Sequence, residues 1–276
     1  MAEPRRGPSN ITIRVAMAIA GIPIVLVINY LGGWLFAALI GLTVIVAQLE
    51  MVRLLRAREA RPALVLCLPA SLVFALLPAF IAGDPAHAWV ILTVALTATG
   101  AAYYLRPATY SLGPGGWMAT IASSLYIGLF LGHIEALRHF ERGAWWVFLV
   151  LIMTWAYDSG AYFAGSRWGS RPFMQHISSK KTWEGVIGGV VLAALAGLVG
   201  VAAVQLAPWQ GLALGAATGI VAQTGDLVVS MIKRQAGVKD SGRIIPGHGG
   251  LLDRIDSLLF TGVLGYYAAT LLGHAA

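Results

Sequence analysis

GVIGGVVLAALAGLVGVAAVQLAPWQGLALGAATGIVAQTGDLVVSMI, residues 185–232, runs for 48 residues with a single charge, Asp226. A membrane-crossing helix needs about 20 predominantly apolar residues, so this stretch predicts two spans, near 185–206 and 209–231, parted by the break at Gln205–Pro208. The same reading, carried outward, predicts seven more, near 12–32, 34–52, 63–82, 88–105, 116–134, 144–163 and 255–273. The expected architecture is an all-α integral membrane protein, a bundle of about nine transmembrane helices forming one polytopic domain over residues 1–276. Residues 1–150 supply the N-terminal spans, and 151–276 the remaining spans and polar loops. Gly and Ala are frequent in these runs, which in lipid permits close helix approach. Pro23, Pro69 and Pro78 are expected to kink their helices.

Composition agrees. The chain is 58% hydrophobic and 11% charged, with mean hydropathy +0.76. Soluble domains carry about 25% charged residues, so too few are present here to cover a water-facing surface. The start, MAEPRRGPSN, lacks the short apolar core and small-residue cleavage site of a secretory leader, so the first apolar run is expected to be retained. Cys67, the single cysteine, lies within ALVLCLPASLVFALLPAF; it has no intrachain partner, and no Cys/His zinc pattern occurs.

The net charge of +7 reads as topology and phosphate chemistry, not nucleic acid. With the N-terminus inside, 17 of the 19 basic residues fall on cytoplasmic segments, and only Arg138 and Arg142 fall outside. The positive-inside rule therefore places the N-terminus in the cytoplasm and the C-terminus outside.

Of the twelve acidic residues, Asp158, Glu184, Asp226, Asp240, Asp253 and Asp256 lie in the last 120 positions. All six fall at or near expected cytoplasmic helix ends. Charge at membrane depth is costly and marks a site, and Asp226 is the sharpest instance. Asp253 and Asp256, three apart in DRID, share a helix face. The intervening loop, SMIKRQAGVKDSGRIIPGHGGLLDRID, mixes Lys233, Arg234, Lys239, Arg243, Asp240 and His248 with five glycines. Glycines admit anions to backbone N–H groups, and Lys and Arg neutralise phosphate. A second block, DSGAYFAGSRWGSRPFMQHISSKKTWEG, offers Asp158, Lys180, Lys181, Thr182 and Glu184; His176 there reads as a loop residue. Carboxylates beside a lysine-rich loop suit Mg²⁺ on a polyphosphate. No GxxxxGK[ST] loop is present.

The positions Ser230, Lys233-Arg234, Lys239-Asp240, Pro246, His248-Gly249-Gly250 and Asp253-Arg254 with Asp256 resemble, at fixed offsets, the signature of phosphatidate cytidylyltransferases (CDP-diacylglycerol synthases). DSGAYFAG (158–165) and SSKKTWEG (178–185) resemble the same family, which usually has proline where Ser179 stands. The detailed likeness is confined to the C-terminal part, and the first 150 residues match only as apolar spans. It implies that CTP and phosphatidate give CDP-diacylglycerol and pyrophosphate with Mg²⁺, leaving room for a second metal ion. It also implies a homodimer in the inner or plasma membrane, with the site facing the cytoplasm and opening towards lipid. On this reading Asp226 and Asp253 bind metal with Asp256 beside them. Lys233, Arg234, Lys239 and His248 join them in catalysis. Lys180, Lys181, Thr182, Glu184, Ser230, Asp240, Arg254 and Asp158 contact substrate. Four rivals stand beside it. The aspartate pattern of CDP-alcohol phosphotransferases does not occur here. A CTP-dependent polyprenol kinase and an ether-lipid synthase share much of the chemistry. A transporter would show its charges in both halves, whereas here they crowd into one.

Overall fold

The computed structural model describes residues 10–57, 60–79, 94, 97–103, 105, 107–111, 113–242, 244 and 249–272. Among the described residues eight principal helices are present: α1 (Asn10–Leu31), α2 (Gly33–Arg56) and α3 (Leu64–Leu76), α4 (Gly113–Arg138), then α5 (Gly143–Trp168), α6 (Trp183–Val204), α7 (Pro208–Gln235) and α8 (Leu252–Leu271). No strand occurs among the described residues, where one isolated bridge joins Pro172 to Thr182. The span expected at 88–105 falls largely outside the described residues, of which 97–103 are helical.

Among the described residues five helices, α2, α4, α5, α6 and α7, are long and apolar enough to cross a membrane. α8 stands apart because Asp253, Arg254 and Asp256 fall within its first five residues. α3 is shorter than the expected 63–82 span. Its α-helix ends at Leu76, and a 3₁₀ turn over Leu77–Ala79 contains Pro78, which has no N–H to continue the ladder. Pro23 and Pro69 lie inside α1 and α3. Large apolar side chains such as Ile187, Val191 and Val199 are exposed on α6, the surface expected of a multi-pass membrane protein.

The hydrophobic core joins both halves of the chain. Phe36, Ile40 and Val44 of α2 share one buried cluster with Ile127 and Leu131 of α4, Trp146 and Met153 of α5, and Leu252 and Leu259 of α8. The most extensive helix contacts run in series, α5 on α6, α6 on α7 and α7 on α8. Small residues make this possible. A methyl group added at Gly160 would lie 2.6 Å from the Gly188 carbonyl oxygen, so α5 and α6 touch backbone to backbone there. α1 passes to α2 through Gly32 and Gly33, both at positive φ. Arg138 closes this turn, its Nε donating to Asn29 O (2.8 Å) and its Nη2 to Tyr30 O (3.1 Å). A cation thus meets carbonyls left unpaired at a helix C-terminus.

Candidate active site

Three carboxylates converge from three helices: Asp158 on α5, Asp226 on α7 and Asp256 on α8. Each lies within electrostatic reach of the other two. The close approach of α7 and α8 brings the last two together, because Gly225 sits against the Asp256 carbonyl and the Ser257 Cα. At 1.5 Å per residue, Asp158 lies about 15 Å from the end of α5 at Trp168, and Asp226 about 14 Å from the end of α7 at Gln235. Measured from the opposite ends, the depths are about 22 and 27 Å. Both carboxylates thus lie nearer the C-terminal than the N-terminal ends of α5 and α7. α8 begins beside the last turn of α7, where Lys233 meets Asp253.

Cations cover the cluster unequally. Lys181 Nζ lies 2.6 Å from Asp226 Oδ2, and that carboxylate keeps a third of its side chain accessible. Ser230, one turn on, donates its hydroxyl to Asp226 Oδ1 at 3.0 Å. Asp256 Oδ1 accepts from the Ser257 N–H at 2.8 Å. Lys181, Arg254 and Lys233 supply the opposing charge to Asp158 and Asp256.

Asp253 is built differently. Lys233 Nζ lies 2.5 Å from its Oδ1, while Oδ2 accepts from Ser241 N (2.8 Å), Ser241 Oγ (3.0 Å) and Gly250 N (3.1 Å). Its side chain is 4% exposed. Asp253 therefore fastens α7 and the Lys239–Asp240–Ser241 loop to the head of α8. As a metal ligand it has only Oδ1 to offer, and only after Lys233 moves.

The loop after α5 is held by its own acid. Glu184 accepts from Ser170 Oγ (2.8 Å), Ser170 N (3.1 Å) and Arg171 N (3.2 Å), and Thr182 Oγ1 caps α6 by accepting from Gly185 N at 3.2 Å. These two expected substrate contacts hold the loop that presents Lys180 and Lys181. Lys180 is exposed, whereas Lys181 turns inward. Arg234 Nε donates to Ile177 O (3.2 Å) and its Nη1 to Val238 O (3.1 Å), tying this loop to the one after α7. Lys239, Asp240 and Arg254 are exposed, as is His176. His248 and Pro246 lie outside the described residues.

Three site residues escape a reading of the polar loops alone. Glu50 of α2, 1% exposed, accepts from Ser241 Oγ (2.8 Å), Leu252 N (2.9 Å) and Leu251 N (3.1 Å). Its position in the apolar run VIVAQLEMVRLL carries the same signal that singles out Asp226. Tyr157 Oη donates to Gln223 Oε1 at 2.5 Å, and the Tyr157 hydroxyl lies within electrostatic reach of Asp226 and Asp158.

Among the described residues, no three Asp, Glu, His or Cys side chains form a metal-holding group. The donor set nevertheless fits one hard cation, because Mg²⁺ takes one or two carboxylates and completes its shell with phosphate oxygens and water. Asp226 with Asp256 meets that requirement, whereas Cys67 is buried away in α3.

The Cytidylyltransferase family matches residues 12–272. A phosphatidate cytidylyltransferase of Synechocystis sp. is 36% identical over 95% of this chain and 97% of its own length. One from Mycobacterium bovis is 38% identical over 60% of this chain and 56% of its own. A third, from Bacillus subtilis, is 40% identical over 50% of this chain and 52% of its own. A match from the first apolar helix to the last turn of α8, together with a relative aligned over nearly its whole length, shows that the chain belongs to the Cytidylyltransferase family.

Proposed function

We propose that this enzyme transfers the cytidylyl group of CTP to phosphatidate, giving CDP-diacylglycerol and pyrophosphate, at the mouth between α5, α7 and α8. The observation that carries this reading is the convergence of Asp158, Asp226 and Asp256 from three helices beside Lys181 and Lys233, a mixed-charge site suited to neutralising two phosphate-bearing substrates together. In the reaction an oxygen of the phosphatidate phosphate forms a bond to the α-phosphorus of CTP as the bond from that phosphorus to the β-bridging oxygen breaks. Pyrophosphate leaves with the electron pair. The attacking phosphate is already anionic, so the work is positioning and charge neutralisation.

Lys180, Lys239 and Arg254, all exposed, draw in the triphosphate. Lys181 and Lys233, held on Asp226 and Asp253, are placed to turn from carboxylate to phosphate as substrates enter. Asp226 and Asp256 would hold Mg²⁺, with Asp158 beside them and Asp253 joining only if Lys233 releases Oδ1. The ion, when bound, offsets charge on the phosphate oxygens. Arg234, Glu184 and Thr182 fix the two loops.

The mouth faces the cytoplasm in this proposal, with nine spans, the N-terminus inside and the C-terminus outside, supported by where Lys and Arg fall. A cysteine at exposed Ser170 should react with an impermeant maleimide only from the cytoplasmic side; labelling of intact cells would reverse the topology. The homodimer belongs to the same proposal, and cross-linking in native membranes tests it. For the reaction itself, purified protein given CTP, Mg²⁺ and phosphatidate micelles should release pyrophosphate only when the lipid is present. Release without lipid would refute the proposal.

A further inference from the structure

Among the described residues of the N-terminal half, Glu50 is the carboxylate that reaches the site, and its partners are all parts of the site's framework. Leu251 and Leu252 begin α8, where backbone N–H groups have no acceptor within the helix and a negative charge is favoured. Glu50 accepts from both, with Oε1 on Leu251 N and Oε2 on Leu252 N. Its third donor is the Ser241 hydroxyl, which lies 2.8 Å from Glu50 Oε2 and 3.0 Å from Asp253 Oδ2. A hydroxyl has one proton to give, so two carboxylates on different helices share one hydrogen. Without Glu50, that hydrogen passes wholly to Asp253, weakens its hold on Lys233, and leaves the first turn of α8 without its anchor. The surroundings are shaped to the carboxylate. A methyl group at Gly242 would collide with Glu50 Oε1, and one at Gly250 would lie 2.5 Å from Oε2.

We propose that Glu50 is a positioning residue for cytidylyl transfer. Through Ser241 and the head of α8 it sets the register of the Lys233–Asp253 pair and of Asp256, and it gives the N-terminal half of the chain a part in the reaction. The proposal rests on the site reading above. The variants Glu50→Gln, Ser241→Ala, their double and Gly242→Ala are compared in full-length protein, per folded molecule, with Asp226→Asn and Glu135→Gln in parallel. Glu135 on α4 is another buried acid, paired with His139 just past the helix end. Its variant serves as the control for loss of a buried charge.

Glu50→Gln should lower kcat tenfold to a hundredfold with KM for CTP within threefold, because an amide keeps one accepting oxygen where two are used. Ser241→Ala should lose a similar factor. The double variant should be no more than threefold worse than the poorer single, since coupled positions are not additive. Gly242→Ala, which displaces the carboxylate without changing any charge, should move kcat in the same direction, while Glu135→Gln stays within twofold of the parent. A Glu50→Gln enzyme within twofold of the parent kcat overturns the proposal, and so does multiplication of the two single losses in the double variant. If Glu50→Gln yields no folded protein, Gly242→Ala decides, and an unchanged kcat there sinks the idea. Should Glu50→Gln be normal while Asp226→Asn is inactive, Glu50 loses its role and the site stands. An active Asp226→Asn would instead refute the site reading itself.

Discussion

Replacing Gly225 with alanine adds one methyl group where α7 meets α8, next to Asp226 and against the backbone of Asp256. The new carbon would lie 3.1 Å from Ser257 Cα and 3.0 Å from Phe260 Cδ2, and it would collide with the Asp256 carbonyl. Ordinary contact begins at 3.4 Å, so the helices must part by a few tenths of an ångström at Ser257 and by more at the carbonyl. An opening of about 1 Å follows, and a misplacement of that size costs on the order of a hundredfold in rate. No charge changes, so the loss would report the spacing of Asp226 and Asp256 alone. The assay is lipid-dependent pyrophosphate release at saturating CTP and Mg²⁺, normalised to protein that elutes as the parent does. Gly115→Ala is the matched control, since nothing lies within 4 Å of a methyl group there. A Gly225→Ala enzyme within threefold of the parent would refute the claim that this contact sets the carboxylate pair.

Asp226→Asn should lower turnover at least a hundredfold, given what a metal contributes, with a melting temperature close to the parent's. Asp253→Asn should lower the melting temperature as well, because it leaves Lys233, 11% exposed, without its counter-charge, and breaking a buried pair costs about 3–5 kcal/mol. Equal melting temperatures for the two variants would contradict the separate roles. Lys181→Ala should cut kcat/KM for CTP by about ten- to hundredfold, the size of one charge-assisted hydrogen bond. Lys180→Ala should act on KM alone, and CTP saturation curves unchanged in both would remove this loop from the site. Chelation with EDTA should abolish transfer and added Mg²⁺ restore it; full activity in EDTA would exclude a catalytic divalent ion.

The helices were legible because apolar length alone requires them. Expected spans at 34–52, 144–163, 185–206 and 209–231 lie inside α2, α5, α6 and α7, to within a couple of residues at their ends. In α3 the α-helix gives way at Leu77 to a 3₁₀ turn containing Pro78, a change that hydropathy does not sense, and residues 80–82 of the expected span lie outside the described residues. The site was legible as a set of residues but not as a set of partners. Asp226 stood out as a charge in an apolar run, and Lys180 and Lys181, being adjacent, had to point apart. That Asp253 is sealed by Ser241 and Gly250 depends on how the loop before α8 closes on that helix, which no spacing encodes. Glu184 was grouped with substrate contacts, yet it binds the backbone of Ser170 and Arg171, a hairpin-like closure across 14 residues. Glu50 was passed over because it lies near the end of its apolar run, where a charge resembles an ordinary helix terminus.

Phosphate-specific labelling tests the central claim most directly. Protein in phosphatidate micelles with Mg²⁺ receives CTP labelled either at the α- or at the γ-phosphate, and the lipid phase is counted. Transfer at the Asp158–Asp226–Asp256 mouth should carry the α label into lipid as CDP-diacylglycerol and leave the γ label in water as pyrophosphate, with Asp226→Asn abolishing both signals. Appearance of the γ label in lipid would mean that the enzyme is a kinase. An Asp226→Asn enzyme that still moved the α label at the parent rate would put the chemistry elsewhere.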